Sequence, residues 1–355
     1  IGRVTGVEVL IRWLHPEKGM VSPLSFLPAM AATELEIELG NWVMEQAWQQ
    51  LYLWHRQGLK IEVSVNISAY HLLWPGFVSH LETILAKHPR IASHYLQLEI
   101  LESTALDDLA AVNRIVKTCH EALGIGAALD DFGTGYSSLT HLRHLPVDTV
   151  KIDRSFVRDM LDDPDDFAIV ESVIGLSQAF GNQVVAEGVE TQEQGLALLL
   201  LSCYIAQGFA IAKPMPADEM ADWINQYRPF PLWQAYANRE LSADQTQIAL
   251  RRLDLRQWLQ RVNQCLTGNQ NSMVNWPIMH PRKSQFGRWL RQVQQQEQYN
   301  KAWLRQLSAL HEQLLHKGDV LMHQFWQGEA QAARAGFMEL EKLQQQLDSC
   351  LKEHA

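Results

Sequence analysis

Asp130 and Asp131 stand side by side at the end of an apolar run, Gly126-Ala127-Ala128-Leu129, and Phe132-Gly133-Thr134-Gly135-Tyr136-Ser137-Ser138 follows them. Adjacent carboxylates repel, so a site that keeps both ionised needs cations to neutralise it. One carboxylate can bridge two metal ions while its neighbour completes the second site. Taken alone, the same residues would serve as an Asp-Gly turn with a helix cap. Lys151 and Asp153 flank Ile152, so on a strand they share one face. A lysine there needs carboxylate or phosphate company, in a structural ion pair or in a site. Glu187 and Glu190 bracket Gly188-Val189 after another apolar run, and Asn66 and Glu99 sit near the ends of two more. The set offers oxygen donors, which suit Mg²⁺ or Mn²⁺ rather than zinc.

The elements that must position these residues alternate. Strand patterns fall at Val7-Glu8-Val9-Leu10-Ile11, Ile61 to Asn66, Tyr95 to Ile100, Gly126 to Asp130, Thr149 to Asp153 and Gln183 to Glu187. Helical periods run over Leu35 to Gln57, Phe77 to Lys87, the stretch up to Ala122, and Phe167 to Phe180. Regular βα alternation predicts a mostly parallel sheet closed into a barrel. In such a barrel the C-terminal strand ends converge on one face, where active sites form. A lone acid at a strand end is usually a helix N-cap; Asn66, Glu99, Asp130, Lys151 and Glu187 on successive strands argue for more.

Of the 355 residues 47% are hydrophobic, enough for a substantial core, and the net charge of -10 argues against a broad surface for DNA or RNA. Cys119, Cys203, Cys265 and Cys350 are far apart, as expected of reduced packing thiols in a cytoplasmic protein. There is no apolar stretch of ~18 residues to span a membrane and no signal peptide. The chain opens directly on an apolar strand, as a piece of a longer protein would, and a membrane anchor upstream is compatible with that. Pro229, Pro231 and Ser242-Ala243-Asp244 mark a boundary, dividing the chain into residues 1–230, a linker 231–244, and a helical region 245–355. Helices are expected there over roughly 245–266, 285–296, 299–318 and 319–353, with breaks near Gly268, Pro277, Pro281 and Gly318. The Gln-rich tract Gln292 to Gln298 reads as a solvated helix face.

Glu8-Val9-Leu10 with Arg12-Trp13 resembles the signature of EAL-domain phosphodiesterases. Val65-Asn66-Ile67-Ser68, Leu98-Glu99-Ile100-Leu101-Glu102-Ser103, Asp130 to Ser138, Lys151-Ile152-Asp153, Ala186-Glu187-Gly188-Val189-Glu190-Thr191, Gln207-Gly208-Phe209 and Lys213-Pro214 agree in order and spacing, up to about residue 225. The resemblance implies a (β/α)8 TIM-type barrel that opens cyclic di-GMP to linear pGpG with two Mg²⁺ or Mn²⁺ ions. It implies that Glu8, Asn66, Glu99 and Asp130 hold one ion, and Asp130, Asp131 and Glu187 the other. Lys151 would orient or help deprotonate the attacking water, Gln207 would position water or a phosphate oxygen, and Glu190 would brace the loop Asp131 to Ser138. Leu10, Arg12, Asp153, Phe209 and Pro214 fall at substrate-binding positions, Arg12 as a phosphate clamp. The loop after Asp131 implies a homodimer. Departures are Val9 for alanine, Leu101 for threonine, Ser202 and Tyr204 for glycine and aspartate, and Tyr70-His71 for arginine-glutamine; none removes an implied ligand or Lys151. The family's first strand, with its glutamine-proline pair, would lie upstream of Ile1. A catalytically silent cyclic di-GMP sensor is the alternative, and a scaffold acting through helix contacts a third reading.

Ser284-Gln285-Phe286-Gly287-Arg288-Trp289, with His280 and His311, resembles the chemoreceptor zinc-binding domain, a four-helix bundle with three histidines and a cysteine on zinc. Here Leu255, Ser284 and Leu315 occupy ligand positions, and serine is a poor zinc ligand. His316 lies one residue past the position of Leu315, about 100° round a helix. The expected reading is a bundle that has lost its zinc and acts as a regulatory or dimerising appendage. The alternative is a rearranged site drawing on His280, His311, His316 or His323.

Overall fold

The computed structural model describes residues 2–103, 108–134, 142–268, 275–295 and 299–353. The chain divides into two compact units. The first holds residues 1–157, 171–192 and 203–234; the second holds 158–170, 193–202 and 235–355.

The first unit is built on a parallel sheet. Its strands are β1 (Gly6–Glu8), β4 (Glu62–Ile67), β5 (Leu96–Leu101), β6 (Gly126–Phe132), β7 (Thr149–Ile152), β8 (Gln183–Ala186) and β9 (Ile205–Ala206), hydrogen-bonded in that order. A two-stranded antiparallel hairpin, β2 (Trp13–His15) and β3 (Gly19–Val21), follows β1. The parallel order with helical crossovers is the (β/α)8 TIM-type architecture, represented by seven strands among the described residues. The helix Glu34–Arg56 buries Met44, Ala47, Trp48, Leu51 and Trp54, the helical spacing of one apolar stripe. The helix Leu109–Leu123 starts at Asp108, whose side chain accepts from Ala111 N, and stops at the left-handed Gly124. The ladders β4–β5 and β5–β6 are regular, whereas the β6–β7 register shifts between Leu129 and Phe132.

The second unit packs four long helices, Ala243–Thr267, Gln285–Gln294, Lys301–Trp326 and Ala330–Lys352, around Leu255, Val262, Phe286, Leu307, Leu314 and Leu347. A capping box of Ser242 and Gln245 opens the first. The break expected at Gly318 is absent, because that glycine serves packing. A Cβ there would lie 2.7 Å from the Trp258 ring, so glycine admits the indole and the helix runs on. The turn comes at Gly328, φ 88°. The expected linker 231–244 contains the helix Pro231–Ala237, and the change of unit after Gln234 falls inside it. Within the second unit Arg288 Nη1 donates to Asp165 Oδ1 at 2.6 Å, and the Arg251 guanidinium lies over the Phe167 ring at 5.6 Å. Among the described residues no helix is long and apolar enough to cross a membrane.

Candidate active site

Alternation along the strands places one side chain in two on the inner face, and the ends of neighbouring strands bring those side chains together. Lys151, near the end of β7, is the hub, with its side chain 3% exposed. Its Nζ lies 2.7 Å from Glu99 Oε2 on β5, 2.7 Å from Glu187 Oε1 after β8, 3.2 Å from Asp130 Oδ1 on β6 and 3.5 Å from Glu8 Oε2 on β1. Gln207, just past β9, donates through Nε2 to Glu8 Oε2 at 2.9 Å and to Glu187 Oε1 at 2.8 Å. Asn66 Nδ2 donates to Glu8 Oε1 at 2.8 Å. Seven residues from separate parts of the sequence thus form one connected group.

Burial works on every charge in it. It would favour a neutral amine at Lys151, yet Glu99, Glu187, Glu8 and Asp130 together raise that group above the ordinary lysine range. Burial pushes Glu99 up to about 7 and Glu187 up to about 8, against the pull of the ammonium. Asp131 has a left-handed backbone, φ 53°, a conformation that aspartate tolerates better than most residues. Burial, then a hydrogen bond with the Asp153 carboxyl, then the Asp130 charge raise Asp131 to about 6. Asp153 itself accepts from the Ser155 amide at 2.9 Å and from the Ser155 hydroxyl.

The group fits divalent cations. Asp130, Asp131 and Glu187 offer ligand oxygens that all lie within 4.8 Å of one another. The Lys151 ammonium, bonded to carboxylates from four strands, holds the position of a cation among oxygen donors, the donor type that Mg²⁺ and Mn²⁺ take.

The other predicted residues are spread around this group. Leu10 is 44% and Phe209 61% exposed. Arg12 is exposed and donates through Nη1 to Ile11 O at 2.8 Å. Pro214 is exposed, and the Lys213 ammonium lies 5.8 Å from the centroid of the Phe209 ring. Glu190 is exposed in the irregular segment after β8; residues 135–138 of the loop it was expected to brace lie outside the described residues. At the base of that loop the described contact comes from Glu102, 1% exposed, whose Oε2 accepts from Gly133 N at 3.1 Å. Glu102 belongs to a motif quoted above, yet was given no role there. Its offset of three residues from Glu99 was the available signal.

In the second unit His311 is buried, its Nε2 3.1 Å from Ser284 Oγ, and burial lowers it to about 4. His280 Nδ1 accepts from the Arg282 amide, His323 Nδ1 lies 2.8 Å from Asp319 O, and His316 is exposed.

The sequence profile of the EAL domain matches residues 1–214. The chain is 40% identical over 220 residues to the bifunctional diguanylate cyclase/cyclic di-GMP phosphodiesterase MucR of Pseudomonas aeruginosa, covering 62% of this chain and 32% of that protein. It is 34% identical over 228 residues to the cyclic di-GMP phosphodiesterase PdeR of Escherichia coli, covering 64% and 34%. The chain therefore spans about a third of the length of these curated relatives. The solved MucR phosphodiesterase in complex with c-di-GMP superposes with a TM-score of 0.58 at 40% identity, over 61% of this chain and 87% of that one.

Proposed function

The chain belongs to the EAL domain family, and from that premise we propose that residues 1–230 hydrolyse cyclic di-GMP to linear pGpG with the help of two Mg²⁺ or Mn²⁺ ions. The observation that carries the reading is the five-membered cluster of Glu8, Glu99, Asp130, Glu187 and Lys151, complete in a chain with relatives named cyclic di-GMP phosphodiesterases. Glu8, Asn66, Glu99 and Asp130 would hold one ion, and Asp130, Asp131 and Glu187 the other. The chemistry that bound divalent cations supply is activation of a water at neutral pH and neutralisation of charge on the phosphate.

The chain's own residues do the rest. Lys151, held in its ammonium form, donates hydrogen bonds and so orients a water or a phosphate oxygen. Gln207 ties Glu8 to Glu187 through one amide, fixing two acids from opposite ends of the strand order. Glu102 holds the Gly133 turn, and with it the backbone of Asp131. Exposed Leu10, Arg12, Phe209 and Pro214 give a rim for the base and the second phosphate, with Arg12 as the phosphate clamp. Asp153 faces the same mouth, and Glu190 braces the loop after Asp131. The helices of 245–355 serve as a regulatory or dimerising appendage.

The test is hydrolysis of cyclic di-GMP by the purified chain with Mg²⁺ or Mn²⁺, beside Glu8→Ala. Formation of pGpG by the parent and its loss in the variant is the expected result. Binding of the nucleotide without product would refute the enzyme and leave a sensor.

A further inference from the structure

Three buried polar side chains in the first unit take no part in the cluster above. Ser64, Gln97 and Thr149 are 9%, 5% and 3% exposed. Each stands two residues before a member of the site on the same strand: Ser64 before Asn66, Gln97 before Glu99, Thr149 before Lys151. Strand periodicity therefore puts all three on the inner face, one layer beneath the site. They are joined to one another. Ser64 Oγ donates to Gln97 Oε1 at 3.0 Å, and Gln97 Nε2 donates to Thr149 Oγ1 at 3.1 Å.

The second bond is the unusual one, because β5 and β7 are not neighbours. β6 lies between them, with Gly126 paired to Gln97 and Ala128 paired to Thr149. Both β6 residues are small, and the Gln97 side chain passes close over Gly126: a Cβ there would sit in ordinary contact, 3.7 Å from its Cγ and Nε2. The strand crossed is also the one whose ladder with β7 is irregular. The β6–β7 register shifts between Leu129 and Phe132, the stretch that holds Asp130 and Asp131. On its β8 side β7 is paired regularly from Thr149 to Ile152, but on its β6 side no regular pair forms at Lys151, so towards β5 backbone pairing alone leaves the level of the site unpinned.

We propose that Ser64, Gln97 and Thr149 form a crossbar that ties β7 directly to β5 past this irregular ladder, and that Gln97 is a positioning residue that sets Lys151 against Glu99. Its consequence for rate rests on the phosphodiesterase reading. The 2.7 Å contact of Lys151 with Glu99 is the quantity it controls. A displacement of about 1 Å in a catalytic group can cost about 100-fold in rate.

The test compares Gln97→Leu, Thr149→Val and Thr149→Ser with Leu98→Ala, a fully buried neighbour on the opposite face of β5 that loosens the core without touching the crossbar. Two readouts are taken: kcat and KM for cyclic di-GMP, and the rate at which an amine-acylating reagent labels Lys151 in metal-free protein, followed by mass spectrometry. We expect Gln97→Leu and Thr149→Val to lower kcat by about 10–100-fold with KM nearly unchanged. Lys151 labelling should rise by about tenfold, and Thr149→Ser should restore both. Leu98→Ala should lower the melting temperature and leave both readouts near the parent. Unchanged labelling in Gln97→Leu and Thr149→Val, or an equal rise in Leu98→Ala, would overturn the crossbar. Should Gln97→Leu fail to fold, the Thr149 pair decides. A parent chain that hydrolyses nothing refutes the phosphodiesterase reading, and the labelling rates then judge the crossbar alone.

Discussion

Replacing Lys151 by methionine keeps an unbranched side chain one atom shorter and removes the single ammonium that four carboxylates share. Each of the two 2.7 Å contacts is worth about 6 kcal/mol of gross Coulomb energy at an effective dielectric of about 20, most of it offset by the desolvation of the partners. Removing one partner of a buried pair costs about 3–5 kcal/mol, because the others are left as uncompensated charge. That is the expected loss for metal-free Lys151→Met. The acids can respond only by holding protons. Burial already raises Glu99 to about 7 and Glu187 to about 8, and loss of the ammonium moves both further in the same direction. A carboxyl whose folded pKa is raised keeps its stabilising proton below the unfolded value and loses it as pH rises through the folded one. The deficit of the variant therefore grows from about pH 5 to about pH 8. A divalent cation takes over the neutralising role, and at 100 times its dissociation constant restores about 2.7 kcal/mol. The assay is denaturant unfolding of parent and variant, at both ends of this range, with and without Mn²⁺. Equal stability of the two proteins without metal, or an equal gain of both from Mn²⁺, would refute the claim that Lys151 stands in for a cation.

Glu102→Gln weakens the acceptor for Gly133 N from a charged to a neutral one; about 1–2 kcal/mol of stability and about tenfold in kcat should go, measured by thermal melts and steady-state rates. His71 is 1% exposed, close to Asn41, and burial lowers it to about 4. A histidine depressed in the folded state contributes stability above its unfolded value near 6.5, and that contribution is lost as pH falls toward 4. The parent should lose on the order of 2 kcal/mol between about pH 7 and about pH 5 from this group, and His71→Gln should flatten that slope in urea titrations. Gly208 has φ 150°, and a Cβ there would lie 2.3 Å from both Val189 N and Val189 O. Gly208→Ala should lower stability by at least about 2 kcal/mol and disturb Gln207, which circular dichroism melts and Mn²⁺ titration would each register.

The site was more legible in the sequence than the scaffold details. Strand alternation fixes which face a side chain takes, so Glu99, Asp130 and Lys151 could be assigned to one face from spacing alone, and the βα order says that such faces converge. The pattern Leu96-Gln97-Leu98-Glu99 also put Gln97 on that face, but its partner Thr149 lies two strands away, and a hydrogen bond across 52 residues leaves no local mark. Gly318 misled because glycine breaks a helix only when nothing needs the space, and Trp258 needs it. The hairpin β2–β3 and the two-residue β9 are too short to carry a period. Glu102 carried no role in the sequence because its partner is a backbone amide, that of Gly133, 31 residues away.

Chain connectivity between the two units carries its own lesson. The polypeptide passes from one to the other after residues 157, 170, 192, 202 and 234. Modules traded by gene recombination normally have a single seam, so that one crossover event moves the whole piece. Five seams mean that the C-terminal helices share a compact unit with stretches of 158–170 and 193–202, which lie in sequence between the strands of the first unit. Swapping another bundle onto this barrel would have to match those two stretches as well, so grafts cut at one point should fail where grafts that carry all the matching stretches succeed.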